Sequence, residues 1–200
     1  MTALLDLQSA LDALANGAVV ALPTDTVYGV AASLDHPTAV ATVFSLKHRP
    51  TSAALPVLVS SISQIEALGV PWPERARILS DALWPGALTI VVTAPLDLCT
   101  PLGSTTGTIG FRCPRDETLL VLLDQSGPLA LSSANEHGEA PCESAAQVTQ
   151  AFAGRSELSG VLDGGERSGK VSTVIDLSGA HWRIVRDGAV PEIVLARLLN

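Results

Sequence analysis

Aromatic residues are scarce in this chain: three Trp, three Phe and one Tyr among 200 residues. Its core cannot be built mainly from rings, so Leu, Val, Ile and Ala must fill it. Positive charge is also short. Twelve Lys and Arg face twenty Asp and Glu, a formal net charge of −8, and the lysines are Lys47 and Lys170 alone. This balance excludes a broad, sequence-independent grip on a nucleic-acid backbone, which needs a basic surface. A local basic pocket for a small anion stays open. Cysteine is limited to Cys99, Cys113 and Cys142, without C-x-x-C or Cys/His ligand spacing. Structural zinc and a disulfide framework are therefore not expected; reduced thiols in a cytoplasmic protein are. No basic segment leads into an apolar one at the N-terminus, so no signal peptide is expected. No apolar run is long enough to cross a bilayer. Long repeats, charge blocks and low-complexity linkers are missing too. Almost half of the residues are hydrophobic (47%), which predicts one globular domain over residues 1–200.

What is present alternates in character. Leu4, Leu7, Leu11 and Leu14 predict a helix over 3–15 that stops at Gly17. Ala18 to Leu22 reads as a buried strand. A helical stripe follows over 36–48, a strand at 55–59, and helices at 61–68 and 74–83. Strands are expected at 87–93, 108–112 and 129–131, with a loop over 94–107 and a helix opened by Asp116. A helix over 144–152, two strands at 171–177 and 182–186 and a final helix near 191–199 close the chain. The alternation predicts an α/β fold. The adjacent last two strands predict an antiparallel pair, and so a mixed sheet.

The chemistry gathers where strands end. After the run at 17–22 comes Pro23-Thr24-Asp25-Thr26-Val27-Tyr28-Gly29, a display of hydroxyls, a carboxylate and a phenol. Ligands of α/β sheets bind beyond the carboxyl ends of strands. The plain alternative is a strand-to-helix turn with Thr24 or Thr26 as N-cap. Lys47-His48-Arg49-Pro50 ends the next helix, either as anion ligands or as a charged cap. Thr108 and Arg112 share one face of a strand, and an inward arginine requires an anion or a structural salt bridge. Ser132-Ser133-Ala134-Asn135 offers hydroxyl and amide groups to a ligand, or is turn chemistry. Gly164 to Lys170 has the spacing of a phosphate loop, but Val171 stands where that motif needs Ser or Thr and a strand follows instead of a helix. Ser172 and the closing Arg186-Asp187-Gly188 could close over a phosphate, or Arg186 could be a surface residue at a hairpin end. His36, His48, His137 and His181 show neither a nucleophile motif nor metal spacing.

Together, in order, PTDTVYG, KHRP, LWPGALT, TIGFRCP, SSAN, the glycine loop, STVID and R-D-G resemble the YrdC/Sua5 family over nearly the whole chain. The likeness is to its short, single-domain TsaC/YrdC form. The resemblance implies a twisted open mixed sheet flanked by helices, with one concave face for a nucleotide. It implies an L-threonylcarbamoyladenylate synthase, a nucleotidyltransferase that makes threonylcarbamoyl-AMP and pyrophosphate from L-threonine, bicarbonate and ATP. Partner proteins would then use the product to form N6-threonylcarbamoyladenosine in tRNA. Transfer to the α-phosphorus needs positioning and charge neutralisation, so no catalytic nucleophile is expected. By the resemblance, Lys47, Arg49, Ser133, Asn135 and Arg186 serve ATP, while Thr24, Thr26, Thr108, Arg112 and Ser172 serve threonine. Arg112 is also a candidate phosphate contact. Magnesium would arrive with ATP, not in a protein cage. An RNA-binding module of the same fold, disfavoured by the acidic balance, and a paralogue with another acceptor are the alternatives. Two stretches depart from the family pattern. Thr51-Ser52-Ala53-Ala54-Leu55 lacks a lysine usual there, a gap that Arg167 or Lys170 could fill, and His137 replaces a usual serine.

Overall fold

The computed structural model describes residues 2–136 and 138–199; His137 lies outside them. Ten strands form a single sheet: β1 Ala3–Leu5, β2 Val19–Leu22, β3 Gly29–Ser33, β4 Val57–Leu58, β5 Leu88–Thr93, β6 Thr108–Arg112, β7 Leu129–Ser133, β8 Leu158–Leu162, β9 Thr173–Asp176 and β10 Arg183–Arg186. Their spatial order is β1-β8-β2-β3-β7-β4-β6-β5-β9-β10. The sheet is mixed: β1–β8, β2–β8, β4–β6 and β5–β9 are parallel, the other neighbours antiparallel. The expected antiparallel pair of β9 and β10 forms.

Among the described residues eight helices flank it: α1 Leu7–Ala15, α2 Pro37–Leu46, α3 Ile62–Ala67, α4 Glu74–Leu83, α5 Leu96–Cys99, α6 Glu117–Ser126, α7 Ala145–Ala151 and α8 Glu192–Leu199. Several begin with a side chain that accepts an otherwise unpaired backbone N–H. Asp6 caps α1 through Ser9, Asp116 caps α6 through Leu119, and Ser144 caps α7 through Gln147. None of the described helices is long and apolar enough to cross a membrane.

The central strands are covered on both faces. In β2 all four residues are buried, with Val19 and Ala21 in one apolar cluster and Val20 and Leu22 in the other. Successive side chains of a strand point to opposite faces, so a continuous apolar run fits a strand packed on both. The larger cluster holds Val43, Phe44, Ile90 and Phe111; the smaller lies under α1 and α6 and holds Leu14, Leu119 and Leu122.

The structure corrects three expectations. The predicted first helix begins at Leu7, because Ala3–Leu5 add parallel to β8 at the sheet edge. Leu96–Cys99 is a short helix inside the expected loop. Gly29–Ser33 is a strand paired with both β2 and β7, so the Thr24–Thr26 segment joins two antiparallel strands and is no strand-to-helix turn. Alanine and glycine have weak strand preference, and here the two flanking strands supply every partner.

Candidate active site

A cavity of about 540 Å³ opens over the strand ends. The same face of neighbouring strands builds its floor: Thr89 and Val91 from β5, Thr108, Gly110 and Arg112 from β6, and Val174 from β9. The Thr24–Tyr28 loop, the 54–56 stretch and Ser133 wall it on one side, with Ser172, Val185 and Arg186 on the other. A bulge between Ile184 and Arg186 explains the last two: it breaks the alternation that would send successive residues to opposite faces.

Arg112 fixes the inner side of the threonine loop. Its Nε donates to the Gly86 carbonyl at 3.0 Å, Nη1 to the Thr26 hydroxyl at 3.1 Å and Nη2 to Asp25 at 2.6 Å. The salt bridge to Asp25 is almost wholly shielded from water. Thr24 spends its proton on the Val27 carbonyl, at 2.7 Å. Thr26 must therefore donate across the 2.9 Å contact between the two hydroxyls. The chain Arg112, Thr26, Thr24, Val27 thus runs in one direction.

Two more guanidiniums reach the cavity. Arg49 donates to the Ala53 and Ala54 carbonyls at 2.7 and 3.0 Å. Arg186 donates twice to the Ser172 carbonyl and, at 2.8 Å, to its hydroxyl, which meets Thr89 at 2.9 Å. Gly188 makes this latch possible, since a Cβ there would overlap the backbone of Val171–Thr173. It is a close-approach glycine. Burial pushes all three arginines below the usual guanidinium range, and the Arg186 charge pushes Arg49 and Arg112 further down. Three cations around a single cavity, with no carboxylate in its lining among the described residues, make an anion site.

Lys47 and Asn135 stand behind the wall. The end of α2 is a Schellman motif: His48 N–H bonds Ser45, Arg49 N–H bonds Phe44, and His48 takes a positive φ of 48°. The motif sends Lys47 inward and Arg49 to the cavity. The Lys47 ammonium, 2% exposed, donates to the carbonyls of Ser133 and Asn135 and to Asn135 Oδ1. Asn135 Nδ2 donates to the Glu136 and Glu139 carbonyls, which fixes the amide so that Oδ1 also accepts the Ser133 proton. Ser133 therefore turns lone pairs, not its proton, to a ligand.

Desolvation, with a smaller push from Arg49, lowers the Lys47 pKa to about 8 from its ordinary 10.5. The folded state therefore sheds this proton before the unfolded state does. By linkage this group alone makes the protein more stable as pH rises from about 8 towards 10.5. Its third hydrogen bond goes with the proton, so turnover is expected to fall across the same range. Urea denaturation and rate measurements over pH 7–10 check the two opposite trends, and Lys47→Met should flatten both.

The profile of the Sua5/YciO/YrdC family, described as telomere recombination, matches residues 12–188. The chain belongs to this family. A Mycobacterium tuberculosis relative is 38% identical over 193 residues, 96% of this chain and 88% of its own. The threonylcarbamoyl-AMP synthase of Pyrococcus abyssi is 38% identical over 179 residues, 88% of this chain and 52% of that protein. Among solved structures, P. abyssi Sua5 complexed with L-threonine has a TM-score of 0.87 at 33% identity, covering 96% of this chain and 57% of that one. The chain thus spans little more than half of the archaeal proteins it matches.

In this Sua5/YciO/YrdC chain, the expected residues Thr24, Thr26, Arg49, Thr108, Arg112, Ser133, Ser172 and Arg186 line one cavity. Lys47 and Asn135 do not line it. Of the substitute cations, Arg167 pairs with Asp116, and Lys170 is exposed beside Val171 on the cavity wall. Thr89 and Tyr28 were given no role in advance. The signal for Thr89 was available: it sits two residues before Val91, on the face that looks across to Ser172. Tyr28 has its phenol buried against Gly164 and Gly165, 136 residues and more away, which no local pattern reveals.

Proposed function

We propose that this chain is a threonylcarbamoyl-AMP synthase, acting on L-threonine, bicarbonate and ATP. The observation that carries the reading is the convergence of Arg49, Arg112 and Arg186 on one cavity of a chain whose net charge is −8. ATP is the substrate that needs such a concentration of donors. Threonine and bicarbonate combine as a carbamate with loss of water. A carbamate oxygen then attacks the α-phosphorus, and the α–β bridging oxygen leaves with pyrophosphate. Arg49 and Arg186 neutralise the charge that develops on the leaving group. Arg112, Thr26 and Ser133 hold the amino-acid end, the hydroxyl lone pairs accepting its N–H groups. The protein's part is to align the reactants, worth several powers of ten in rate.

Magnesium enters as part of the nucleotide substrate. Among the described residues no group of three or more His, Cys, Asp or Glu side chains could cage a metal, and Asp25, the carboxylate of the threonine loop, is committed to Arg112. On this reading the product passes to the proteins that complete threonylcarbamoyladenosine in tRNA, a role that fits the cytoplasm. The expected result is pyrophosphate release from ATP and bicarbonate that requires L-threonine. Release indifferent to threonine, or supported equally by serine and alanine, would mean another acceptor. Tight RNA binding without turnover would mean a binding module.

A further inference from the structure

Residues 163–170 cross the molecule without secondary structure and are mostly exposed. This strap lies along the threonine loop. Gly169 N–H donates to the Thr26 carbonyl at 3.0 Å. The approach needs glycine, because a Cβ would sit 2.8 Å from the Asp25 carbonyl oxygen and 2.9 Å from the Thr26 Cα. At the other end Gly164 N–H donates to the Tyr28 hydroxyl at 3.0 Å, which donates in turn to the Gly165 carbonyl at 2.8 Å. Thr26 is therefore gripped twice, by its hydroxyl from Arg112 and by its carbonyl from the strap.

Backbone contacts to an exposed strap do not by themselves hold it. Arg167 does. Its N–H donates to the Glu143 carbonyl at 2.7 Å, and its Nη2 meets Asp116 Oδ2 at 2.9 Å. Asp116 is already oriented, since its Oδ1 caps α6. The side chains are 23% and 10% exposed, so water screens this pair less than a surface pair. Arg167 Nε is buried without a partner, which leaves Asp116 as the side chain that compensates the guanidinium among the described residues. Neither residue lines the cavity.

We propose that the Arg167–Asp116 ion pair latches the strap against Thr26, which makes Arg167 a positioning residue for the threonine-binding wall. The proposal rests on the reading of that wall as the L-threonine site, so its test has two separate readouts. Hydrogen exchange followed by mass spectrometry reports the strap and the 24–28 loop without any ligand. Calorimetric titration with L-threonine reports the wall. Arg167→Gln is expected to speed exchange in both segments, with β5 and β6 unchanged, and to weaken L-threonine binding about ten-fold. Arg167→Lys keeps the charge and should fall between the two. Faster strap exchange with unchanged threonine affinity would overturn the positioning role. Weaker binding with unchanged exchange would overturn the latch, as would no change in either. If Arg167→Gln loosens β5 and β6 as well, Arg167→Lys decides by the same readouts. If the unaltered protein fails to bind L-threonine, the functional reading falls, and the exchange data still judge the latch.

Discussion

Arg112→Met is expected to remove detectable turnover and to lower the unfolding free energy by about 3–5 kcal/mol, the cost of breaking a buried ion pair from one side. The guanidinium satisfies the Gly86 carbonyl, the Thr26 hydroxyl and Asp25 together, and methionine satisfies none of them. Asp25, with its side chain 13% exposed, would be left as an uncompensated charge. Its neutralisation separates the two effects. Arg112→Met with Asp25→Asn should recover much of the lost stability in urea denaturation, because the orphaned charge is gone. Turnover should stay absent, because the donors to Thr26 and to the cavity are still missing. If the double variant regains activity along with stability, Arg112 is a structural residue and the salt bridge is its whole purpose.

Removing Arg186 or Arg49 is expected to act with the opposite balance. Burial makes each costly to keep protonated, and Arg49 also feels the charge of Arg186. Arg186→Gln or Arg49→Gln should therefore leave the ligand-free protein about as stable as before, within roughly 0.5 kcal/mol. Nucleotide binding should suffer by about 1.5–3 kcal/mol for each lost charge-assisted contact, or about ten- to one-hundred-fold in affinity. Calorimetry with a non-hydrolysable ATP analogue measures the loss, and thermal denaturation without ligand measures the other half. Raising the salt concentration should narrow the gap between the unaltered protein and either variant. Unchanged affinity in both would mean that the Ala53, Ala54 and Ser172 contacts are the reason for these arginines.

Much of this site was legible in advance because its residues sit at strand ends, and strands announce themselves by local pattern. The run at 18–22 places Thr24 and Thr26 beyond a strand end, and the alternation of residues 108, 110 and 112 puts Thr108 and Arg112 on one face of a strand, before any pairing is known. Composition ruled against a broad basic surface and left a local basic pocket open, and eight of the ten residues expected at the site do line one cavity. What each side chain does there was not local information. Whether Arg112 is free or paired depends on Asp25, 87 positions earlier, and Lys47 finds its acceptors at Ser133 and Asn135, 86 and 88 positions later. β3 has so little strand preference of its own that only β2 and β7, closing on it from both sides, make it a strand and turn the threonine motif into a loop between antiparallel neighbours. The sequence by itself determined most of the element types, the net negative charge and the chemistry available at each strand end, since these follow from side-chain size, polarity and period. The tertiary structure decided which cations face the cavity and which are spent holding it together. Burial and hydrogen-bond partners set that division, and both come from residues far apart in the chain.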